Sequence, residues 1–233
     1  MSEPWRVTLL LWKYFALTFS ALLPLINPLG SALIFLGLVG SAPISVYRAL
    51  ARRIAVNTIL FFFVIDLVGS AILAFFGISL PIVQVSGGFV IAAMGWSLLN
   101  QKDTQPNAEK MQAAAQAESQ EVSSTLRQKA FYPFTFPITA GPGCIVVMLT
   151  LSAHIPQKTI GSTIVAHGGA MIAVVILSGI VYLSYAHAPK ITRAISPATA
   201  HGILRVIAFI LLCIGVQIAW NGLDPLLAGV LKK

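Results

Sequence analysis

The amino-acid sequence predicts an all-α, polytopic membrane protein whose six transmembrane helices form a 3+3 inverted repeat, with helices 1 and 4 broken. Three observations lead there. The chain is 57% hydrophobic and only 9% charged, whereas a typical soluble domain is about 25% charged. No Lys or Arg lies between Lys13 and Arg48, between Arg53 and Lys102, or between Lys158 and Lys190, and about 20 apolar residues cross the hydrocarbon core. An interruption rich in proline and glycine sits inside an apolar stretch once in each half, as Pro24-Leu25-Ile26-Asn27-Pro28-Leu29-Gly30 and as Pro137-Ile138-Thr139-Ala140-Gly141-Pro142-Gly143.

The first span covers 11–40. Its apolar region runs far past the roughly 7–15 residues of a secretory signal, and no small-residue cleavage pattern follows, so it reads as a retained helix. The second and third spans cover 54–77 and 80–100 and complete a first repeat, 1–100. Residues 101–129 are rich in Gln, Ala, Ser and Glu, with four basic and four acidic side chains. They read as a cytoplasmic linker, although a short helix can start at Asn107. The second repeat, 130–233, holds spans at 131–153, 160–185 and 203–222. Trp5, Trp12, Trp96 and Trp220 fall near span ends, where the amphipathic indole prefers the headgroup region.

Orientation follows from the basic residues. The odd-numbered loops hold ten, Arg48, Arg52, Arg53, Lys102, Lys110, Arg127, Lys129, Lys190, Arg193 and Arg205, against five in the termini and even loops. The odd loops are therefore cytoplasmic and both termini lie outside. The net charge of +8 is scattered over short loops, which serves orientation and gives no nucleic-acid face. Three spans per half put the second half into the membrane upside down. Setting Pro24 on Pro137 also sets Gly30 on Gly143, and Gly87-Gly88-Phe89 through Gly95 align with Ile207-Ala208-Phe209 through Gly215.

The breaks carry the candidate site. Proline lacks an N–H, so Pro24 and Pro28 deprive the carbonyls of Ser20 and Pro24, while Pro133, Pro137 and Pro142 deprive those of Lys129, Pro133 and Ile138. In hydrocarbon each such group costs several kcal/mol unless something meets it. Asn27 and Gly141 each precede a proline, which favours an unwound turn. Beyond each turn the N–H groups near Gly30-Ser31-Ala32 and Gly143-Cys144-Ile145 suit a carboxylate, and the released carbonyls suit an ammonium or a cation. An amino acid offers both charges. The substrate-binding candidates are Asn27, Pro28, Gly30, Ser31, Ala140, Gly141, Pro142 and Gly143, the glycines leaving room for close approach. The alternative is a pair of kinks that only let helices cross.

Asp66 is the only acidic residue deep in a span, so it should face the interior, protonated or paired. It is the candidate for a coupling ion, H+ or Na+, or else a structural carboxyl. His167 and Gln217 are secondary candidates, and Asn221 shares the polar stripe of the last span. Asp66, His167 and Cys144 read as isolated residues without a hydrolase motif. No catalytic residue, metal site or cofactor is expected, and Cys144 and Cys213 read as small apolar residues. The partners are the lipid bilayer and a small solute, and the oligomeric state is open. A channel, a non-transporting membrane component and an exporter of another small solute are the competing functions.

Asn27-Pro28-Leu29-Gly30, Phe76-Gly77-Ile78-Ser79 leading into Gly87-Gly88, and Phe136-Pro137 followed by Ala140-Gly141-Pro142-Gly143 resemble the MarC family of bacterial six-span inner-membrane proteins. The resemblance covers nearly the whole chain. It implies a fold similar to the LysE-type exporter superfamily, the bacterial inner membrane as location, and transport of small neutral amino acids such as glycine or alanine. Asp66 and the linker lie outside that pattern.

Overall fold

The computed structural model describes residues 3–40, 42–100, 130–155, 159–194 and 197–231. The 101–129 linker, with the short helix expected at Asn107, lies outside the described residues, which are otherwise helical throughout with short connections. In chain order they form α1 (Glu3–Ile26), α2 (Pro28–Val39), α3 (Ile44–Phe75), α4 (Leu80–Leu99), an irregular helical segment Ala130–Thr139, α5 (Pro142–Ala153), α6 (Ile160–Ala186), α7 (Ala188–Ala194) and α8 (Pro197–Leu231).

Four stretches are long and apolar enough to cross a membrane: Trp5–Val39, Leu80–Leu99, Ile160–Ala186 and Gly202–Gly229. Ala130–Thr139 and Pro142–Ala153 make a fifth if the bent pair is one span. The outer surface is as apolar as the interior. Leu9, Phe63, Leu67, Phe89, Phe209 and Val216 are exposed on four different helices, as expected of a molecule that meets lipid rather than water. All four tryptophans are exposed as well.

Several helices outrun their expected bounds, α1 among them, which starts at Glu3 and not at 11. α3 begins at Ile44, directly after Pro43, so Arg48, Arg52 and Arg53 stand on its first turns and not in a loop. Long arginine stems let a helix emerge from hydrocarbon while the guanidinium reaches the headgroups, so the charge does not end the helix. α8 likewise extends to both sides of the expected 203–222.

Glycine sets the closest helix contact. A Cβ on Gly95 would strike Ala208 O and Leu212 N, one on Gly215 would strike Gly88 O and Ala92 N, and one on Gly222 would strike Pro81 O. As the α4 number rises the α8 number falls, so the two helices run antiparallel with their backbones touching, the geometry small residues permit in membranes. Gly169 of α6 meets Leu11 O of α1 in the same way, and Gly69 of α3 and Gly87 of α4 both receive α5, through Leu149 and Val146. The half-helix α5 is thus held between α3 and α4.

The core lies where α2, α3, the irregular segment and α6 converge. Phe35 of α2 stacks on Tyr185 of α6 at 4.5 Å between ring centroids and meets the edges of Phe134 at 5.2 Å and Tyr47 at 5.8 Å. These four rings are almost fully buried, and such pairs add about 0.5–1.5 kcal/mol each beyond area burial. They fix the ends of both broken helices against the continuous ones.

Candidate functional site

At the first break the helix stops for one residue. Asn27 adopts φ 44°, ψ 66°, the left-handed region, which asparagine tolerates better than most residues. Pro28 then opens α2, where its missing N–H is one that has no helical partner anyway. Asn27 Oδ1 accepts the Gly30 N–H at 3.1 Å, and the Ser31 hydroxyl donates to the carbonyls of Asn27 at 2.8 Å and Ile26 at 3.2 Å. Two expectations change here. Pro24 does not interrupt the helix, which continues around it to Ile26, since the Asn27 N–H still reaches Leu23 O at 3.0 Å. The space over Gly30 serves the cap instead of a ligand, because a Cβ there would overlap the Asn27 carboxamide.

The second break is longer. Tyr132 and Phe136, each before a proline, are extended at φ/ψ −116°/125° and −121°/127°, the region that a following proline favours. The segment repeats a four-residue unit, Tyr132-Pro133-Phe134-Thr135 and Phe136-Pro137-Ile138-Thr139. In each unit the threonine hydroxyl donates to the carbonyl five residues back, Thr135 to Ala130 O at 2.8 Å and Thr139 to Phe134 O at 2.7 Å. The hydroxyls thereby cover two carbonyls inside the irregular segment. Ala140 N–H donates to Thr135 O at 2.8 Å, and Gly141 in extended conformation starts α5 without any side-chain cap. The chain turns by 70° between the two helical pieces.

The structure brings the breaks together. A Cβ on Gly143 would lie 2.8 Å from Ile91 Cγ1 and 3.1 Å from Leu25 Cδ2, so the last turn of α1 and the first turn of α5 are in contact. Tyr185 joins them from α6: its hydroxyl meets that of Thr139 at 2.8 Å and also interacts with the Ser31 side chain. Ile26, Ala140, Cys144 and Met148 are buried around this junction. It is closed and well packed, with one charge-poor helix N-terminus at its centre.

The MarC family of integral membrane proteins matches residues 12–227. The chain belongs to the MarC family. It is similar to inner membrane protein MarC of Escherichia coli K12 and to its counterpart in Shigella flexneri, at 26% identity over 213 residues, 91% of this chain and 95% of either relative. No solved structure matches it. With its apolar helices, this MarC-family member is a multi-pass inner-membrane protein.

Outside the breaks, the structure corrects one reading of this MarC protein. Asp66 and His167 are not isolated: Asp66 Oδ2 and His167 Nδ1 are 2.8 Å apart, joining α3 to α6. The Asp66 carboxylate is buried and the imidazole about a quarter exposed. Ser152 of α5 donates to the Asp66 carbonyl at 2.9 Å, so three helices meet at this residue. Gln217 donates to Asn221 at 2.9 Å, and both are exposed. Asn221, with Gln84, Thr150, Leu151, His154, Trp220 and Asp224, lines a cavity of about 430 Å³. It opens at the end of the bundle where α4 starts and α5 finishes. Cys144 is buried and Cys213 exposed, and both are free thiols. Among the described residues no cluster of three or more His, Cys, Asp or Glu side chains exists to hold a metal.

Sequence reasoning found both breaks and Asp66 but missed Tyr185, Thr135, Thr139 and Gln84. The tandem aromatic-Pro-x-Thr unit was a readable signal for the two threonines, because a hydroxyl two residues after a helix-breaking proline is a natural substitute donor.

Proposed function

We propose that this protein is a secondary transporter of small neutral amino acids such as glycine or alanine, with the solute held between the two helix breaks. The observation that carries this reading is the contact between the breaks. The N-terminus of α5 has no side-chain cap and faces the end of α1 across Gly143, giving a carboxylate the positive end of a helix dipole, although the Cys144 and Ile145 N–H groups already reach Gly141 O at 3.0 and 3.3 Å. The hydroxyls of Ser31, Thr139 and Tyr185 stand beside it, ready to exchange their internal hydrogen bonds for bonds to the amine and carboxylate. The closed junction corresponds to the state without solute, and the 430 Å³ cavity is the approach to it from the outer face.

The same reading takes α3, 32 residues long, as the remaining span, for six spans in 3+3 inverted repeats. The glycine contacts support it. Aligning the halves places Gly95 on Gly215, Gly88 on Ala208 and Ala92 on Leu212; Gly95 touches Ala208 and Leu212, and Gly215 touches Gly88 and Ala92. Each contact is the image of the other, as a two-fold axis in the membrane plane demands. The basic residues put both termini outside, so a cysteine beside Lys233 in a Cys144→Ala, Cys213→Ala background should react with an impermeant thiol reagent on intact cells. Labelling only after the cells are opened would overturn that orientation.

Counterflow tests the function. Purified protein in liposomes preloaded with unlabelled glycine should accumulate labelled glycine or alanine from outside and leave labelled leucine and arginine outside. Absence of exchange for a full panel of amino acids would reject the transporter reading in favour of a non-transporting component. Exchange of a different small solute would retain the transporter and replace the substrate.

A further inference from the structure

We infer that Asp66 and His167 form a proton-carrying pair, and that the ion coupled to solute movement is H+. The inference rests on the transporter reading and deepens it. Three features of the geometry support it. One carboxylate oxygen, Oδ2, is engaged by His167 Nδ1 at 2.8 Å. The other, Oδ1, is buried without a hydrogen-bond partner among the described residues. The imidazole is partly exposed while the carboxylate is enclosed, so the imidazole is the more accessible member of the pair.

A metal cation bound here would need several oxygen ligands. The Ser152 hydroxyl is turned to the Asp66 carbonyl, and Oδ1 has no hydrogen-bond partner among the described residues. A proton needs one acceptor. The step balances with a single proton and no electrons. In the ionised state a neutral imidazole donates its Nδ1–H to Oδ2, and the pair carries one negative charge, which is costly inside a membrane. A proton from the aqueous side binds at Nε2, and the Nδ1 proton passes to Oδ2. A carboxylic acid and a neutral imidazole of the other tautomer remain, with no net charge. Release is the reverse.

On α1, which packs on α6 at Gly169, Tyr14 donates to His154 O at 3.3 Å and the Lys13 ammonium stands 5.8 Å from the Tyr14 ring centroid. On the elements packed against α3, Tyr185 is engaged with Thr139, His154 Nδ1 with Thr150 O at 2.7 Å, and Cys144 lies buried in the first turn of α5. Tyr182 and His187 stand at the far end of α6, Tyr132 in the irregular segment, and Tyr47, Arg48, Arg52 and Arg53 at the opposite end of α3.

The link to the solute runs through α5. Its N-terminus is the proposed carboxylate end of the site, and Ser152, ten residues on and about 15 Å along a rigid helix, holds the Asp66 backbone. A shift of α5 when the break opens therefore changes the contact of Asp66 with His167.

The test uses proteoliposomes loaded with purified protein and labelled glycine, in sodium-free buffer. A pH gradient should drive at least tenfold accumulation in the wild type. Asp66→Asn and His167→Gln should each lose that accumulation while retaining counterflow within about threefold. Accumulation driven by a sodium gradient at zero pH difference, or pH-driven accumulation that survives Asp66→Asn, would overturn the inference. A second measurement does not depend on transport: pH-difference infrared spectra should contain a protonated-carboxyl band that vanishes in Asp66→Asn and moves in His167→Gln. If the wild type shows that band but no counterflow, the transporter reading fails and the proton pair stands; if the band is absent or unaffected by either substitution, the pair fails.

Discussion

The two helix breaks begin from similar residues and solve one problem in different ways. Each must interrupt a helix inside a membrane without leaving backbone groups unmet. At the first, one residue in the left-handed region and one carboxamide suffice: Asn27 caps Gly30, the Ser31 hydroxyl covers the Ile26 and Asn27 carbonyls, and Trp5–Val39 remains a single span. At the second, two successive prolines force two extended residues, threonine hydroxyls cover the carbonyls, and the chain turns by 70°. The structure also shifts the register between them. Pro28 and Pro142 both open their half-helices, so Gly30 is the third residue of α2 and Gly143 the second of α5. The first break is chemically self-contained. The second covers the Ala130 and Phe134 carbonyls with hydroxyls but leaves the N-terminus of α5 without a side-chain cap, the feature on which the proposed carboxylate site rests.

The largest expected effect is at Gly143. A leucine there would drive into Ile91 and Leu25 and fill the space between the breaks, so binding of labelled glycine should fall by more than about a hundredfold, or ~2.8 kcal/mol. Ile176→Leu, on the exposed side of α6, serves as the control. Equal binding by these two variants, both monodisperse in detergent, would show that the breaks do not form the site.

A smaller effect separates the ways the two breaks cover their carbonyls. Thr139→Val removes a buried hydroxyl that serves both Phe134 O and Tyr185, and an unmet buried acceptor costs about 1–3 kcal/mol. Ser31→Ala should cost less, because the Ser31 N–H still bonds Asn27 O at 2.9 Å and the carboxamide cap persists. Thermal unfolding in detergent should therefore show the larger drop for Thr139→Val. The reverse order would mean that the first break depends on its hydroxyl more than on its asparagine.

How much of this was legible in the sequence depends on the range of the interaction. Proline acts on its own turn, so both breaks, their unwound residues and the helical class could be read from local chemistry. The second break's partner groups were also local, in the tandem Tyr-Pro-Phe-Thr and Phe-Pro-Ile-Thr units, but the reading followed the prolines and passed over the threonines. Asp66 was expected in the interior, protonated or paired, and it is buried with His167 beside it. Its partner was missed because the two residues are 101 positions apart, and no helical period links separate spans. Depth would have offered a clue: Asp66 stands nine residues before the end of α3, and His167 seven after the start of α6. Depths of roughly 13 and 10 Å follow at 1.5 Å per residue, measured from the same face. The cavity beside Gln84 needed three helices at once, and nothing local announces that.

The smallest effect sharpens the comparison most, because it separates the two properties of Asn27. Asn27→Ala removes the cap, at about 0.5–2 kcal/mol, and also puts a Cβ that favours right-handed backbone into a left-handed position, at about 1–2 kcal/mol. Asn27→Gly removes the same cap but relieves the backbone, so the net cost should be only a few tenths of a kcal/mol. If the first break is a self-contained turn, the glycine variant should unfold close to wild type and the alanine variant well below it, while both still bind glycine once the folded fraction is taken into account. If instead both lose binding by tenfold or more with little change in unfolding, the Asn27 carboxamide leaves Gly30 to contact the solute. The two breaks would then contribute to the site on equal terms, and the contrast drawn between them would hold only for the closed state.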